Sequence, residues 1–186
     1  MKQNNTSRYA YLAGIVDGEG CLRIDIGNEV TRKNPTYRLR LQIAQKNGKI
    51  IDWLYGNFGG SVYKPSPKRT KCIRPNGEIY ESVCFDYRWS LTKRENLLPL
   101  LKKILPFCIE KKKQIEEGIS FIYYLEKYKK GMKKVGNNFI HKEENIENYI
   151  QVCDKYYWTL RALKKIHIPS AAVETKLAAS SKEEML

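Results

Sequence analysis

Two stretches of the chain alternate with a period of two, and their two sides differ in kind. In 21–26, Leu22, Ile24 and Ile26 stand against Cys21, Arg23 and Asp25; in 38–43, Leu39, Leu41 and Ile43 stand against Arg38, Arg40 and Gln42. Alternation of this period predicts strands with one buried face. A sheet of such strands has to lay its aliphatic side on helices and leave the other side open. The open side is the unusual one. A merely solvated face favours Lys, Glu and Thr, whereas Arg with Gln and Asp at two-residue spacing is the set that reads base edges in a major groove. A third stretch continues the pattern, with Val83, Phe85, Tyr87, Trp89 and Leu91 on one side and Cys84, Asp86, Arg88 and Ser90 on the other.

The segments between the strands read as helices and turns. Residues 7–19 form a helix capped by Thr6 or Ser7, with Tyr9, Leu12, Ala13 and Val16 as its apolar positions. A shorter helix over 48–58 stops at Gly59-Gly60. Strand character then covers 61–64, is interrupted by Pro65 and Pro67, resumes over 70–74, turns near Pro75-Asn76-Gly77 and returns over 78–91. Helices follow over 93–105, 107–130, 143–166 and 170–179, with a basic loop at 127–138. The order is αββαββ followed by helices, an α+β chain.

Charge narrows the partner. The 34 Lys+Arg against 20 Asp+Glu leave +14, which suits a polyanion, while 42% hydrophobic residues exclude a disordered basic tail. A length of 186 residues suits one domain, 1–186. No apolar run approaches a membrane span, so no membrane partner is expected. The opening residues lack the order of a signal peptide. Cys21, Cys72, Cys84, Cys108 and Cys153 are odd in number and contain no Cys-x-x-Cys pair; with His141 and His167 the only histidines, no zinc site is expected and the thiols read as reduced.

Leu12-Ala13-Gly14-Ile15-Val16-Asp17-Gly18-Glu19-Gly20 resembles the LAGLIDADG motif of homing endonucleases, differing at Ile15, Val16, Gly18 and Glu19. Gln45-Lys46 at the end of the second strand, and Pro106-Phe107 followed by Lys111-Lys112-Lys113-Gln114, look like the single-motif, homodimeric branch encoded in organellar group I introns. The resemblance implies an αββαββα core over 7–130, an antiparallel four-stranded DNA-binding saddle and additional C-terminal helices over 139–180. It implies a metal-dependent endonuclease that cuts a long pseudo-palindromic duplex to leave 3′ overhangs. Mg2+ or Mn2+ would lie on Glu19 and the Gly18 carbonyl. Gln45 would order water near the metals and Lys111 would face the phosphate. It further implies residence in a chloroplast or mitochondrion, with synthesis inside the organelle because no transit peptide is evident. Two rivals are an RNA-binding maturase assisting group I splicing, and a basic ribosome-associated module.

The motif also has a physical reading. Gly14 and Gly18 stand one turn apart with Ala13 alongside, a notch that admits a second helix at near-backbone distance. A single chain offers no second copy of the notch, so the natural partner is the chain itself across a two-fold axis, with Leu12, Ala13, Gly14, Val16 and Asp17 at the interface. Two Glu19 carboxylates then meet at the axis, where divalent cations relieve their repulsion. Asp17, two residues from Glu19, points away from it, toward a helix-end or interface role. Base readout falls to Arg23, Asp25, Arg38, Arg40, Gln42, Asp86 and Arg88, and phosphate contact to Lys46, Lys64, Lys68, Arg69, Lys71, Arg74 and the 129–134 loop. Arms of about 10 residues at about 3.3 Å each span about 10 base pairs, so a dimer would read about 20.

Overall fold

The period-two stretches lie side by side in one antiparallel sheet. The computed structural model describes residues 5–27, 34–65, 68–84, 86–130, 133–135, 138–140 and 146–165. Helix α1 (Asn5–Glu19) runs directly into strand β1 (Gly20–Gly27), which pairs with β2 (Thr36–Gln45). Helix α2 (Gly48–Phe58) follows, then β3 (Ser61–Tyr63), a ribbon of β4 (Lys68–Ile73) and β5 (Ile79–Cys84), and β6 (Tyr87–Leu91). The four-stranded sheet has the order β1-β2-β6-β3, and β4 pairs with β5 in a separate two-stranded sheet. Helix α3 (Arg94–Ile104), a 3-10 turn (Leu105–Phe107), helix α4 (Lys112–Lys130), a hairpin of β7 (Lys133–Val135) and β8 (Asn138–Ile140), and helix α5 (Ile146–Lys165) complete the described chain.

The aliphatic side of the sheet is the core. Leu22, Ile24, Leu39, Leu41, Ile43, Trp89 and Leu91 are all buried, against Leu12 and Val16 of α1, Leu54 of α2, Leu101 of α3 and Phe121 of α4. Helix α4 crosses the sheet at close range because Gly118 faces it: a β-carbon there would come within 2.7 Å of Leu22 Cδ2. Gly20 has a different constraint. A β-carbon would lie 2.6 Å from the Val16 carbonyl oxygen, so the passage from helix to strand without a loop requires glycine. Helix α2 starts where Asn47 Oδ1 accepts from the Lys49 amide at 2.9 Å, and stops at Gly59 with φ +66°.

Three segments differ from the sequence expectation. The long second hairpin over 61–91 is two pieces, since Pro65 has no amide to continue the β3–β6 ladder beyond Tyr63↔Arg88; the outer piece forms the β4–β5 ribbon, with its turn at Gly77 (φ +82°). The basic stretch 127–138, expected to be a loop, carries regular structure where it is described: α4 continues to Lys130, and β7 pairs with β8 from Val135↔Asn138 to Lys133↔Ile140. The helix expected to begin at 107 instead yields a 3-10 turn, with α4 starting at Lys112. The expected 170–179 helix lies outside the described residues.

Helix α5 is held by aromatic contacts and by polar ones to the sheet. Tyr149 stacks on Tyr128 of α4 at 4.1 Å between centroids, Tyr156 packs against Phe121 at 5.3 Å, and the Tyr37 hydroxyl donates to Asp154 at 2.8 Å. Burial and the Asp154 carboxylate both push the Tyr37 phenol far above its ordinary value, so it is a donor at any working pH. These contacts seat α5 along the outer edge of β1, the strand that ends the sheet.

Candidate functional site

The open face of the sheet carries the polar half of the alternation. Antiparallel register sets Arg23 opposite Arg40, Asp25 opposite Arg38, Gln42 between Cys21 and Ser90, and Arg88 between Ala44 and Tyr63. Arg23, Arg38 and Arg88 are exposed, while Arg40 and Gln42 are half-buried among them. Arg88 lies over the Tyr63 ring at 5.8 Å. Asp25, expected to read bases, holds other residues instead: its Oδ1 meets Arg23 Nε at 2.9 Å and its Oδ2 meets Arg40 Nε at 2.5 Å. With both carboxylate oxygens occupied by guanidinium groups, Asp25 orients two readers and is itself a poor one.

The basic residues expected on phosphates lie on several elements. Lys46 is exposed just past β2, and Lys64 lies beyond β3, 3.5 Å from Asp52. Lys68, Arg69 and Lys71 sit on β4 opposite Cys84, Val83 and Glu81. Arg74 is at the ribbon tip, bonded to Glu78 at 2.8 Å, and Asp86 is half-buried at the start of β6.

The motif helix ends at the rim of the same face. Because Gly20 pairs with Ile43, the C-terminus of α1 reaches the sheet where β2 is finishing, and Gln45 lies two residues further on, opposite Tyr87. Glu19 is exposed there and, among the described residues, makes no hydrogen bond or salt bridge. Lys111 approaches from the turn before α4, and its ammonium donates to the Val16 carbonyl at 2.8 Å and the Asp17 carbonyl at 2.9 Å. Those are carbonyls that a helix end leaves without partners, at the negative pole of its dipole. Burial draws the Lys111 ammonium below its ordinary value, against the opposing pull of Asp17, Cys21 and Glu19. Burial also pushes the neighbouring Cys108 thiol up to about 11, with the Asp17 charge adding to the effect.

Asp17 returns the contact. Its two carboxylate oxygens accept from the Ile109 amide at 2.7 Å and the Lys111 amide at 3.0 Å. The motif helix and the start of α4 therefore clasp each other reciprocally, and Asp17 has the helix-end role. Asp17→Asn removes the charge and turns an amide toward one of the two N–H donors. It is expected to lower stability by about 1–2 kcal/mol, as loss of a capping carboxylate does, read as a lower urea midpoint.

The interface expected from the motif needs correction. Leu12, Ala13 and Val16 are buried in the chain's own core, so none of the three faces a partner, while Asp17 is half-buried and holds the clasp. The reason is the helical period: these positions share the stripe that covers the sheet. The stripe left open carries Tyr11, Gly14 and Gly18, with Ile15 half-buried beside it. β-carbons built on Gly14 and Gly18 meet nothing within 4 Å, so no contact within the chain requires glycine at either position.

A cation site is likewise only half present. Gly18 and Glu19 offer a carbonyl and a carboxylate, an oxygen set that fits a hard divalent ion. Among the described residues, however, no group of three or more His, Cys, Asp or Glu comes together to hold one. The oxygen donors present suit such an ion in kind.

No family model matches the sequence, and none of the curated proteins is detectably similar to it. Solved structures are. The archaeal intron-encoded homing endonuclease I-Vdi141I, complexed with DNA, matches with a TM-score of 0.60 at 16% identity, over 86% of this chain and 86% of its own. I-CvuI, a homing endonuclease in complex with an uncleaved DNA target in 2 mM Mg, matches with a TM-score of 0.56 at 17% identity, over 84% of this chain and 82% of its own. The LAGLIDADG homing endonuclease I-LtrWI, bound to target DNA, matches with a TM-score of 0.53 at 16% identity, over 83% of this chain and 45% of its own. The fold is that of the LAGLIDADG homing endonucleases.

On this LAGLIDADG fold the chain adds a feature that the strand alternation did not signal. The C-terminal half of α5 faces the edge of β1 with Tyr157, Arg161 and Lys164, and Lys164 Nζ lies 3.3 Å from Cys21 Sγ on the open face. The signal was in the sequence as Tyr157 one helical turn before Arg161, but its significance depends on α5 lying beside β1.

Proposed function

We propose that the chain is a site-specific DNA endonuclease, acting as a homodimer, that hydrolyses phosphodiesters of a long pseudo-palindromic duplex with Mg2+ or Mn2+. One observation carries the reading: an exposed, unpartnered Glu19 ends a helix whose outer stripe is bare at two glycines, at the rim of an arginine-rich strand face. The DNA-bound state of the structures it resembles supports the same reading. So does the span of the match, nearly the whole of two of them but under half of I-LtrWI, as suits a unit that works in pairs.

Each group then has a task. The outward arginines and Gln42 present donors to base edges, and the basic residues flanking them hold the backbone. Glu19 and the Gly18 carbonyl, doubled across the axis, would hold the divalent ion, which when bound stabilises charge on phosphate oxygens and acidifies water. Lys111 uses two of its three N–H donors on α1 and keeps the third for a phosphate oxygen beside Glu19. Gln45, at the end of β2, has both a donor and an acceptor with which to orient a water. We further propose, on the resemblance of the motif and the residues downstream of it alone, synthesis and residence in a chloroplast or mitochondrion.

The direct test is digestion of a plasmid library carrying randomised duplex inserts. With Mg2+ a subset is expected to be linearised with 3′ overhangs, EDTA is expected to stop the reaction, and fresh Mg2+ to restore it. Cutting that continues undiminished in EDTA would refute the metal. Sedimentation on a recovered site is expected to show two copies of the 21.7 kDa chain per duplex; a single copy would refute the dimer.

A further inference from the structure

Beside the strand face, α5 and the edge of β1 enclose a cleft of about 620 Å3 whose lining includes Arg23, Arg40, Arg161 and Lys164, with Asp25 as its one acid. Asp25 is already shared between Arg23 and Arg40, so the cleft remains net basic. At its α5 side stands an aromatic pair. Tyr157 and Trp158 meet edge to face at 5.1 Å, and the Arg161 guanidinium lies over both rings, 5.5 Å and 5.3 Å from their centroids, while donating to the Tyr157 hydroxyl at 2.9 Å. Trp158 is 61% exposed.

We propose that the α5 side of this cleft is a second nucleic-acid site, which takes an unpaired nucleotide: the base on the Trp158–Arg161 platform at its margin and its phosphate beside Arg161 and Lys164. The observations divide between possible ligands. Basic residues in a last turn satisfy a helix dipole, which accounts for Lys164 but leaves an exposed indole beneath a guanidinium unexplained. A duplex phosphate would engage the cations and leave the indole in water. A base within a duplex keeps its faces in the stack, whereas an unpaired base has a free π-face, and an aromatic side chain with a neighbouring Arg is the surface that receives one. The cleft shares Arg23, Asp25 and Arg40 with the strand face and adds Tyr157, Arg161 and Lys164 from α5, so a single strand held on the α5 side lies directly beside a duplex. RNA and single-stranded DNA share this chemistry.

The site is tested by fluorescence anisotropy with labelled oligo(U), oligo(dT) and a duplex, each of about 12 nucleotides, in EDTA so that the result does not depend on cleavage. The full-length protein is expected to bind the single strands, and Trp158→Ala to weaken that binding by about 5- to 100-fold, the range a base–aromatic stack covers, while changing duplex affinity less than about twofold. Trp158→Phe is expected to recover most of the loss, and Arg38→Ala, on the strand face, to spare single-strand binding. Tighter binding of oligo(U) than of oligo(dT) would identify RNA as the ligand, and the reverse order single-stranded DNA. The proposal is overturned if the wild type does not bind single strands, if Trp158→Ala binds them unchanged, if it loses duplex binding equally, or if Arg38→Ala matches its loss. Because the platform is exposed on α5, Trp158→Ala is expected to fold, and an unchanged circular dichroism melt verifies this.

Discussion

Glu19→Gln is expected to abolish cleavage while leaving DNA binding nearly intact. The substitution keeps the shape and length of the side chain and removes only its charge. Since Glu19 is exposed and makes no hydrogen bond within the described chain, stability should stay within about 0.5 kcal/mol. The proposed ion, however, loses a charged ligand from each protomer. If that forfeits even about 4 kcal/mol of transition-state stabilisation, the rate falls about a thousandfold. Duplex affinity should hold or rise, because two negative charges leave the neighbourhood of the phosphates. Single-turnover cleavage and a gel-shift titration on one recovered site separate the two effects, and wild-type cutting by the variant in Mg2+ would remove Glu19 from the chemistry.

The second large effect concerns Gly14, where two substitutions should act in opposite directions. Among the described residues, no atom beyond the helix's own adjacent turns lies within 4 Å of a β-carbon built there, so Gly14→Ala replaces the weaker helix former without a tertiary clash and should raise protomer stability by up to about 1 kcal/mol. Gly14→Leu should also fold, but its side chain occupies the space a partner helix needs. Overpacking costs about 1–3 kcal/mol at a well-packed contact. Two-fold symmetry imposes it twice, weakening the dimer by about 30-fold to more than 10,000-fold and cleavage with it. Equilibrium sedimentation and thermal melts on the same samples check both arms. A Leu variant that dimerises normally would show that the glycine stripe faces solvent.

The strand positions were legible because their period is short and local: Leu22, Ile24, Leu39 and Leu41 declare the buried face without reference to any other part of the chain. The stops at Gly59 and near Gly77 were legible for the same reason. The core-facing side of α1 was read as an interface although the contrary signal was present. Tyr9, Leu12, Ala13 and Val16 had already been assigned to the apolar stripe, and a residue buried in its own core cannot also bury a partner. The bond from Asp17 to the Ile109 and Lys111 amides was not legible, since it joins residues more than ninety positions apart. The interruption of the second hairpin at Pro65 was legible, but the division of its return side into β5 and β6 was not.

The Arg23–Asp25–Arg40 bridge has a consequence for how such a protein could acquire a new target. Most outward positions of the sheet can be exchanged one at a time, because the core lies on the other side and does not register the change. Arg38 and Arg88 are of this kind. Arg23 and Arg40 are not, because each is oriented by the same carboxylate, and removing either frees one Asp25 oxygen and leaves the remaining arginine held from one side only. Residues in one such network give non-additive effects, so variants at these three positions should succeed in combinations that fail as single steps. A lineage drifting toward a different site would then change its outer positions gradually and this triad all at once.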